Sequence, residues 1–455
     1  MENLKYVIFF LVLFTAVPFN RAFGLKYPWY ETMLWTLLLF FTCNMIDINF
    51  VSMEHYRGSS RGFEIGMVDI IVFSILAILL SRKKKLERPP GTFLYFTYFF
   101  FSVVSIVNSD VYVYSFFELW KMLRMYIFFY VVYNMINTYE DIRKLFYIIT
   151  GIIAYVTFIV LKQKYLLHIY QCYGPFPHQN SLVLYMIVFG SMILGMLFNK
   201  EDEKALLLLT VFGMSAIDII STLSRGGLAM FAISIFIIMM VSYKNKITMR
   251  KVGLTVVFII LGGLVIFKAM DSIVERMETA PEESANVRVD LAIAASNMAN
   301  ANIFGIGLNN FGLKINDPYH YADHIERAED EKGGLVETIY LMIAAETGWH
   351  NLVVFFIFIF YFYFMNIKNY LRLKGSEHRY ITIGIWGGLT AIYIQSTLEW
   401  VLKQTNNYYQ LVFVFAIIAA TTKIYKEELK NNSSKKNKKN KKNKKNKKNK
   451  KNKKK

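Results

Sequence analysis

The sequence predicts an all-α fold, a polytopic transmembrane bundle of twelve or thirteen helices with one large extracytoplasmic loop. Three observations carry this. The chain is 55% hydrophobic and 16% aromatic, above the apolar share of about 45–50% usual in soluble domains. Its apolar residues gather into runs near ~20 residues, the length a helix needs to cross a bilayer. Lysine and arginine collect in a few short segments between those runs. The runs are continuous rather than alternating, which excludes barrel strands.

In order, the runs fall near 5–22, 29–46, 63–81, 92–107, 112–136, 143–161, 179–198, 204–222, 226–243, 252–268, 350–366, 380–398 and 406–424. The first looks like a secretory signal, yet Pro18, Asn20 and Arg21 follow it without a small-residue cleavage site, so it is read as a retained span. The chain divides into N-terminal spans (1–268), the large loop (269–349), C-terminal spans (350–426) and a disordered Lys/Asn-rich tail (427–455). Residues 435–455 hold fifteen lysines and no acid, so the net charge of +19 falls to +4 without them. The tail is read as a solvated cytoplasmic anchor, with attraction to anionic lipid or RNA as the other reading. It does not make the chain a nucleic-acid protein. Cys43 and Cys172 have no CxxC spacing, which excludes a disulfide framework or a thiolate metal site.

Basic residues at Arg82–Arg88, Lys244–Lys251, Lys368–Arg379 and in the tail place those segments in the cytoplasm. Counting spans between them puts 162–178, 223–226, 269–349 and 399–405 on the opposite side. The 269–335 stretch carries twelve acidic against five basic residues, unlike the cytoplasmic loops. The orientation of the first two spans stays open. Glu118, Lys121, Arg124 and Asp218 interrupt apolar helices and are expected to face the interior, with Glu118 and Lys121 paired at i, i+3, outside the site.

Four segments on the outer side carry polar groups at span ends, where they are costly unless used. Gly174-Pro-Phe-Pro-His-Gln-Asn180 offers His178 and Asn180, the latter also readable as a helix cap. Thr222-Leu-Ser-Arg-Gly-Gly227 is a tight hairpin that holds Ser224 and Arg225 at the membrane boundary, where Arg225 could snorkel to lipid phosphate or grip a diphosphate. Arg288 opens an amphipathic helix over 289–301 that leads to Gly305 and Gly307, read as the floor of a pocket. No βαβ pattern surrounds this Gly-x-Gly, so nucleotide binding is rejected. Glu337 and Glu346 bracket a short apolar helix, Glu337 also suiting a helix N-terminus.

The order, spacing and common side of His178/Asn180, Ser224/Arg225/Gly226, Arg288, Gly305/Gly307 and Glu346/Thr347/Gly348 resemble the O-antigen ligase and polymerase family of membrane glycosyltransferases, over roughly residues 170–365. Members often carry His-Asn where this chain has Glu337-Thr338. The resemblance implies transfer of a glycan from an undecaprenyl-diphosphate-linked oligosaccharide to an acceptor glycan or lipid, without metal or cofactor, on the extracytoplasmic face of a bacterial inner membrane. It implies Arg225 and Arg288 as diphosphate ligands, Glu337 as general base with His178 in reserve, and Asn180, Ser224, Gly305, Gly307 and Glu346 in support. Partners would be membrane lipids and a chain-length regulator. The absent His-Asn pair inclines the reading to a polymerase of surface-polysaccharide repeats, with a ligase as the alternative. A lipid-linked glycan transporter comes third, since no inverted repeat is evident.

Overall fold

The computed structural model describes residues 2–82, 85–199, 204–244, 247–257, 259–260, 263, 282–325 and 334–452. The protein is a helix bundle, and twelve of the thirteen apolar runs coincide with a helix. The thirteenth, 252–268, lies partly outside the described residues, as do 269–281 and 326–333 of the acidic loop. Among the described residues six helices are long and apolar enough to cross a membrane, and three shorter apolar helices accompany them.

The chain opens with α1 (Glu2–Lys26) and α2 (Pro28–Cys43), followed by a two-stranded antiparallel hairpin, β1 (Asp47–Ser52) and β2 (Gly62–Gly66), and α3 (Met67–Ser81). The sequence reading carried 63–66 into a span. Their hairpin pairing is fixed by charge instead: Arg124, buried on α5 (Tyr112–Met135), lies 2.7 Å from Asp69, 3.4 Å from Glu64 and 3.7 Å from Asp47. One guanidinium thus ties both strands and the start of α3 to α5.

Next come α4 (Thr92–Val104), α5 (Tyr112–Met135), α6 (Tyr139–Leu161), α7 (Gln179–Leu197), α8 (Ala205–Ser221) and α9 (Arg225–Tyr243). α6 begins at a capping box, Thr138 accepting from the Asp141 N–H at 3.1 Å while Asp141 accepts from the Thr138 N–H at 2.9 Å. The expected interior charges are all buried, and Glu118 pairs with Lys121 at 2.7 Å.

The 269–349 segment supplies α10 (Glu282–Ala301) and α11 (Ile339–Thr347), and the bundle closes with α12 (Trp349–Arg372), α13 (Arg379–Gln395) and α14 (Thr405–Asn452). The stretch of α14 that contains its membrane-length apolar window is Thr405–Asn431. Its helical backbone runs on through the Lys/Asn-rich repeat that the sequence reading left disordered. α7 is the central helix, buried over its whole apolar window. It packs directly on α13: a Cβ on Gly384 would stand 2.4 Å from the Ser191 carbonyl oxygen, and one on Gly195 2.4 Å from that of Tyr380. Small residues here let two backbones meet, the usual substitute for hydrophobic drive between helices in lipid. The site therefore rests on a rigid pair.

Candidate active site

The polar groups converge at one end of the bundle, where α7, α9 and α14 begin and α13 ends. His178 is the N-cap of α7, its Nδ1 accepting from the Asn180 N–H at 3.2 Å. Asn180 Oδ1 accepts from the Ser224 hydroxyl at 3.1 Å, and Ser224 caps α9 by accepting from the Gly227 N–H at 3.2 Å. The first two sequence segments are thus joined directly, and Asn180 bridges hairpins rather than only capping its own helix. Arg225 starts α9, exposed and without an ion-pair partner among the described residues.

Arg288 projects from α10 and binds two carboxylates: its Nε lies 2.7 Å from Glu337 and its Nη2 3.8 Å from Glu399. Burial pushes Glu399 up to about 7, reinforced by the nearby Glu337 charge and opposed by Arg288 and a hydrogen bond with Asn180. Burial also raises Glu337, against the pull of Arg288. Burial holds His178 below its usual value, so its ring is neutral at pH 7. The imidazole nitrogen that accepts from Asn180 is not free to take a second proton.

Two adjoining cavities share Gln179, Asn180, Arg288 and Glu399 as a common wall. The smaller, about 190 Å³, is completed by Ser224, Arg225, Gly226, Gly227, Gln395 and Leu398. The larger, about 450 Å³, adds Arg61, His178, Glu337, Trp400 and Gln404. Each lining carries two arginines; Glu399 is the one carboxylate of the first, and Glu337 joins it in the second.

Residues 209–359 match the family described as O-antigen ligase. The match supports membership of the O-antigen ligase/polymerase family over this third of the chain. No curated protein matches it. The matched segment holds Ser224, Arg225, Arg288, Gly305, Gly307, Glu337 and Glu346, whereas His178, Asn180 and Glu399 complete the site from outside it. The apolar helices and this match together are those of a multi-pass membrane protein.

Three of the residues picked out by the family resemblance lie away from both cavities. The Gly305–Gly307 turn, expected as a pocket floor, instead braces α11: the Ile306 and Gly307 N–H groups donate to Ala345 and Glu346 carbonyls at 2.9 and 3.1 Å. Gly305 has φ +74, and a Cβ there would stand 2.3 Å from the Thr347 nitrogen. Gly305→Ala is therefore expected to cost about 1–3 kcal/mol, read as a lowered thermal midpoint of the purified protein.

Glu346 is fully buried and pairs with Lys403 at 2.6 Å; Lys403 lies 3.9 Å from Glu118, which completes the row to Lys121. This chain of alternating charges links α5, α11 and the segment before α14, holding the stretch that carries Glu399. Lys403→Met would strand the Glu346 carboxylate, costing about 3–5 kcal/mol. Adding Glu346→Gln should recover part of that loss, because the Glu118–Lys121 pair remains neutral overall; a double-mutant cycle of thermal midpoints checks this.

Sequence reasoning missed Arg61, Glu399, Trp400 and Gln404. Glu399 and Gln404 sit in a loop already assigned to the outer side, and a carboxylate at the end of a span was the available signal. Arg61 had none, since its place follows from a hairpin that periodicity did not reveal.

Proposed function

We propose that this enzyme polymerises polyprenyl-diphosphate-linked repeat units of a surface polysaccharide on the extracytoplasmic face of the bacterial inner membrane. The observation that carries the reading is that Arg288 and Glu399 border both cavities, with a second arginine, Arg225, on the smaller one and a second carboxylate, Glu337, on the larger. In the smaller cavity Arg225 and Arg288 receive the donor's diphosphate, whose charge grows as the bond to the sugar breaks. In the larger cavity the acceptor hydroxyl meets Glu399, which borders both spaces.

The acceptor oxygen attacks the anomeric carbon of the donor. The bond from that carbon to the diphosphate oxygen breaks, its electron pair leaving with the polyprenyl diphosphate. The hydroxyl proton passes to a carboxylate. Glu337 was the first candidate for that base, but its carboxylate is held by Arg288 at 2.7 Å. Glu399, nearer neutral and farther from the guanidinium, is the better acceptor. Glu337 then keeps Arg288 aimed, and His178 keeps the loop on α7. The two guanidinium groups supply the positive charge the leaving group requires, so the mechanism calls on no metal.

The sidedness is supported by the opposite ends of the helices, where Arg88, Lys423, Lys426 and Lys430 line one cavity and Arg143 approaches Glu377 at 4.0 Å. Basic segments of this kind stay in the cytoplasm. Donor, acceptor glycan, surrounding lipid and a chain-length regulator are the partners this reading requires. Surface glycans of a deletion strain, resolved by size, test it: single repeat units at the surface mean a polymerase, full-length chains left on the carrier lipid mean a ligase, and an unchanged profile rejects both.

A further inference from the structure

The larger cavity has a feature that neither leaving-group binding nor proton transfer uses. Arg61 lines it together with Glu337 and Trp400, and is exposed and without an ion-pair partner among the described residues. Arg225 and Arg288 flank the smaller cavity, whereas Arg61 borders only the larger one. We propose that Arg61 forms an acceptor subsite for a negatively charged substituent, a carboxylate or phosphate, on the glycan that presents the reacting hydroxyl. The inference rests on the glycosyl-transfer reading and adds to it the chemical class of the acceptor.

The turn that presents Arg61 is fixed by many bonds. Asn309 accepts from the Ser59 N–H at 2.9 Å and donates to the Ser60 carbonyl at 2.8 Å and to that of Tyr114 at 2.9 Å. The hydroxyls of Ser59 and Ser60 donate to Glu118 at 2.9 and 2.8 Å. Tyr56 donates to the Asn309 carbonyl and stacks on Tyr114 with ring centroids 3.8 Å apart. The Arg61 carbonyl itself accepts from the Met53 N–H at 2.8 Å. With the backbone held this firmly the turn needs no ordering on binding, and only the side chain's own rotamers remain to be fixed; a planar guanidinium matches a carboxylate or phosphate bidentately.

Charge also decides which substrate Arg61 meets. Glu337 and Glu399 repel an anion from their part of the larger cavity, and Arg288 is engaged by them and by the donor's diphosphate, so an anionic sugar enters with its charge toward Arg61 and its hydroxyl toward Glu399. Trp400 provides an apolar ring face on the same lining, suited to the C–H face of a sugar.

The test uses the full chain in lipid nanodiscs and three probes: a trisaccharide ending in glucuronic acid, its carboxyl-reduced neutral parent, and that parent phosphorylated on the terminal 6-hydroxyl. Wild type should bind one or both anionic probes at least tenfold more tightly than the neutral one, and which one identifies the charged group. Arg61→Gln should remove the preference while leaving neutral-probe binding within about twofold, and Arg61→Lys should restore part of it. In parallel, geranylgeranyl diphosphate binding should weaken in Arg225→Gln and stay unchanged in Arg61→Gln. An anionic preference that survives Arg61→Gln, or none in wild type, overturns the subsite. Diphosphate binding that ignores Arg225→Gln overturns the underlying reading instead.

Discussion

Replacing Arg288 with Ala is expected to lower turnover by roughly two to three orders of magnitude, the usual cost of removing one preorganised donor from a developing negative charge. The loss has two sources. The departing diphosphate loses a guanidinium, and Glu337 and Glu399 lose the cation that keeps two neighbouring carboxyl groups compatible. With Arg288 gone, their mutual repulsion raises both further, and Glu399 becomes protonated at pH 7. Arg288→Lys should recover only a small part, because one ammonium cannot bond Glu337 and face the second carboxylate in the same fork. Steady-state rates on purified protein check both variants, and a rate within threefold of wild type for Arg288→Ala would remove this residue from the chemistry.

Glu399→Gln is expected to cost about 10²–10⁴ in turnover, the range that general-base catalysis supplies. The pH profile makes the assignment specific. A base acts in its ionised form, and burial places Glu399 at about 7. Activity should therefore fall about tenfold per unit below that pH and level off above it. In Glu399→Gln the residual rate should lose this acid limb. In Glu337→Gln the limb should remain, displaced downward in pH, because a neutral neighbour no longer raises Glu399. A profile whose acid limb disappears with Glu337→Gln and persists with Glu399→Gln would return the role to Glu337.

The helices were legible because their cause is local: a run of apolar side chains near ~20 residues long has one low-energy form in lipid. The gathering of the polar span ends at one end of the bundle was legible through the basic loops, which mark the other end. Within the site, the link from Asn180 to Ser224 and the pairing of Arg288 with Glu337 joined segments already singled out. The β-hairpin was not legible, because its register depends on Arg124, more than fifty residues from each of its carboxylate partners in the chain. The role of Gly305 and Gly307 was misplaced for a related reason. Positive φ marks a special turn, but only the packing of that turn on α11 shows that it braces a helix end instead of flooring a pocket. Glu346 likewise reads as a site carboxylate until Lys403 is seen beside it.

The central claim is that Arg225, Arg288 and Glu399 together detach a glycan from a diphosphate carrier and pass it to a hydroxyl. The most direct measurement is reconstitution of the purified chain with an undecaprenyl-diphosphate-linked repeat unit, following carrier diphosphate release and glycan length together. The account predicts that wild type releases one undecaprenyl diphosphate for each unit added, while Arg288→Ala and Glu399→Gln release almost none. Glycan growth without carrier release, or equal release by wild type and both variants, would contradict it.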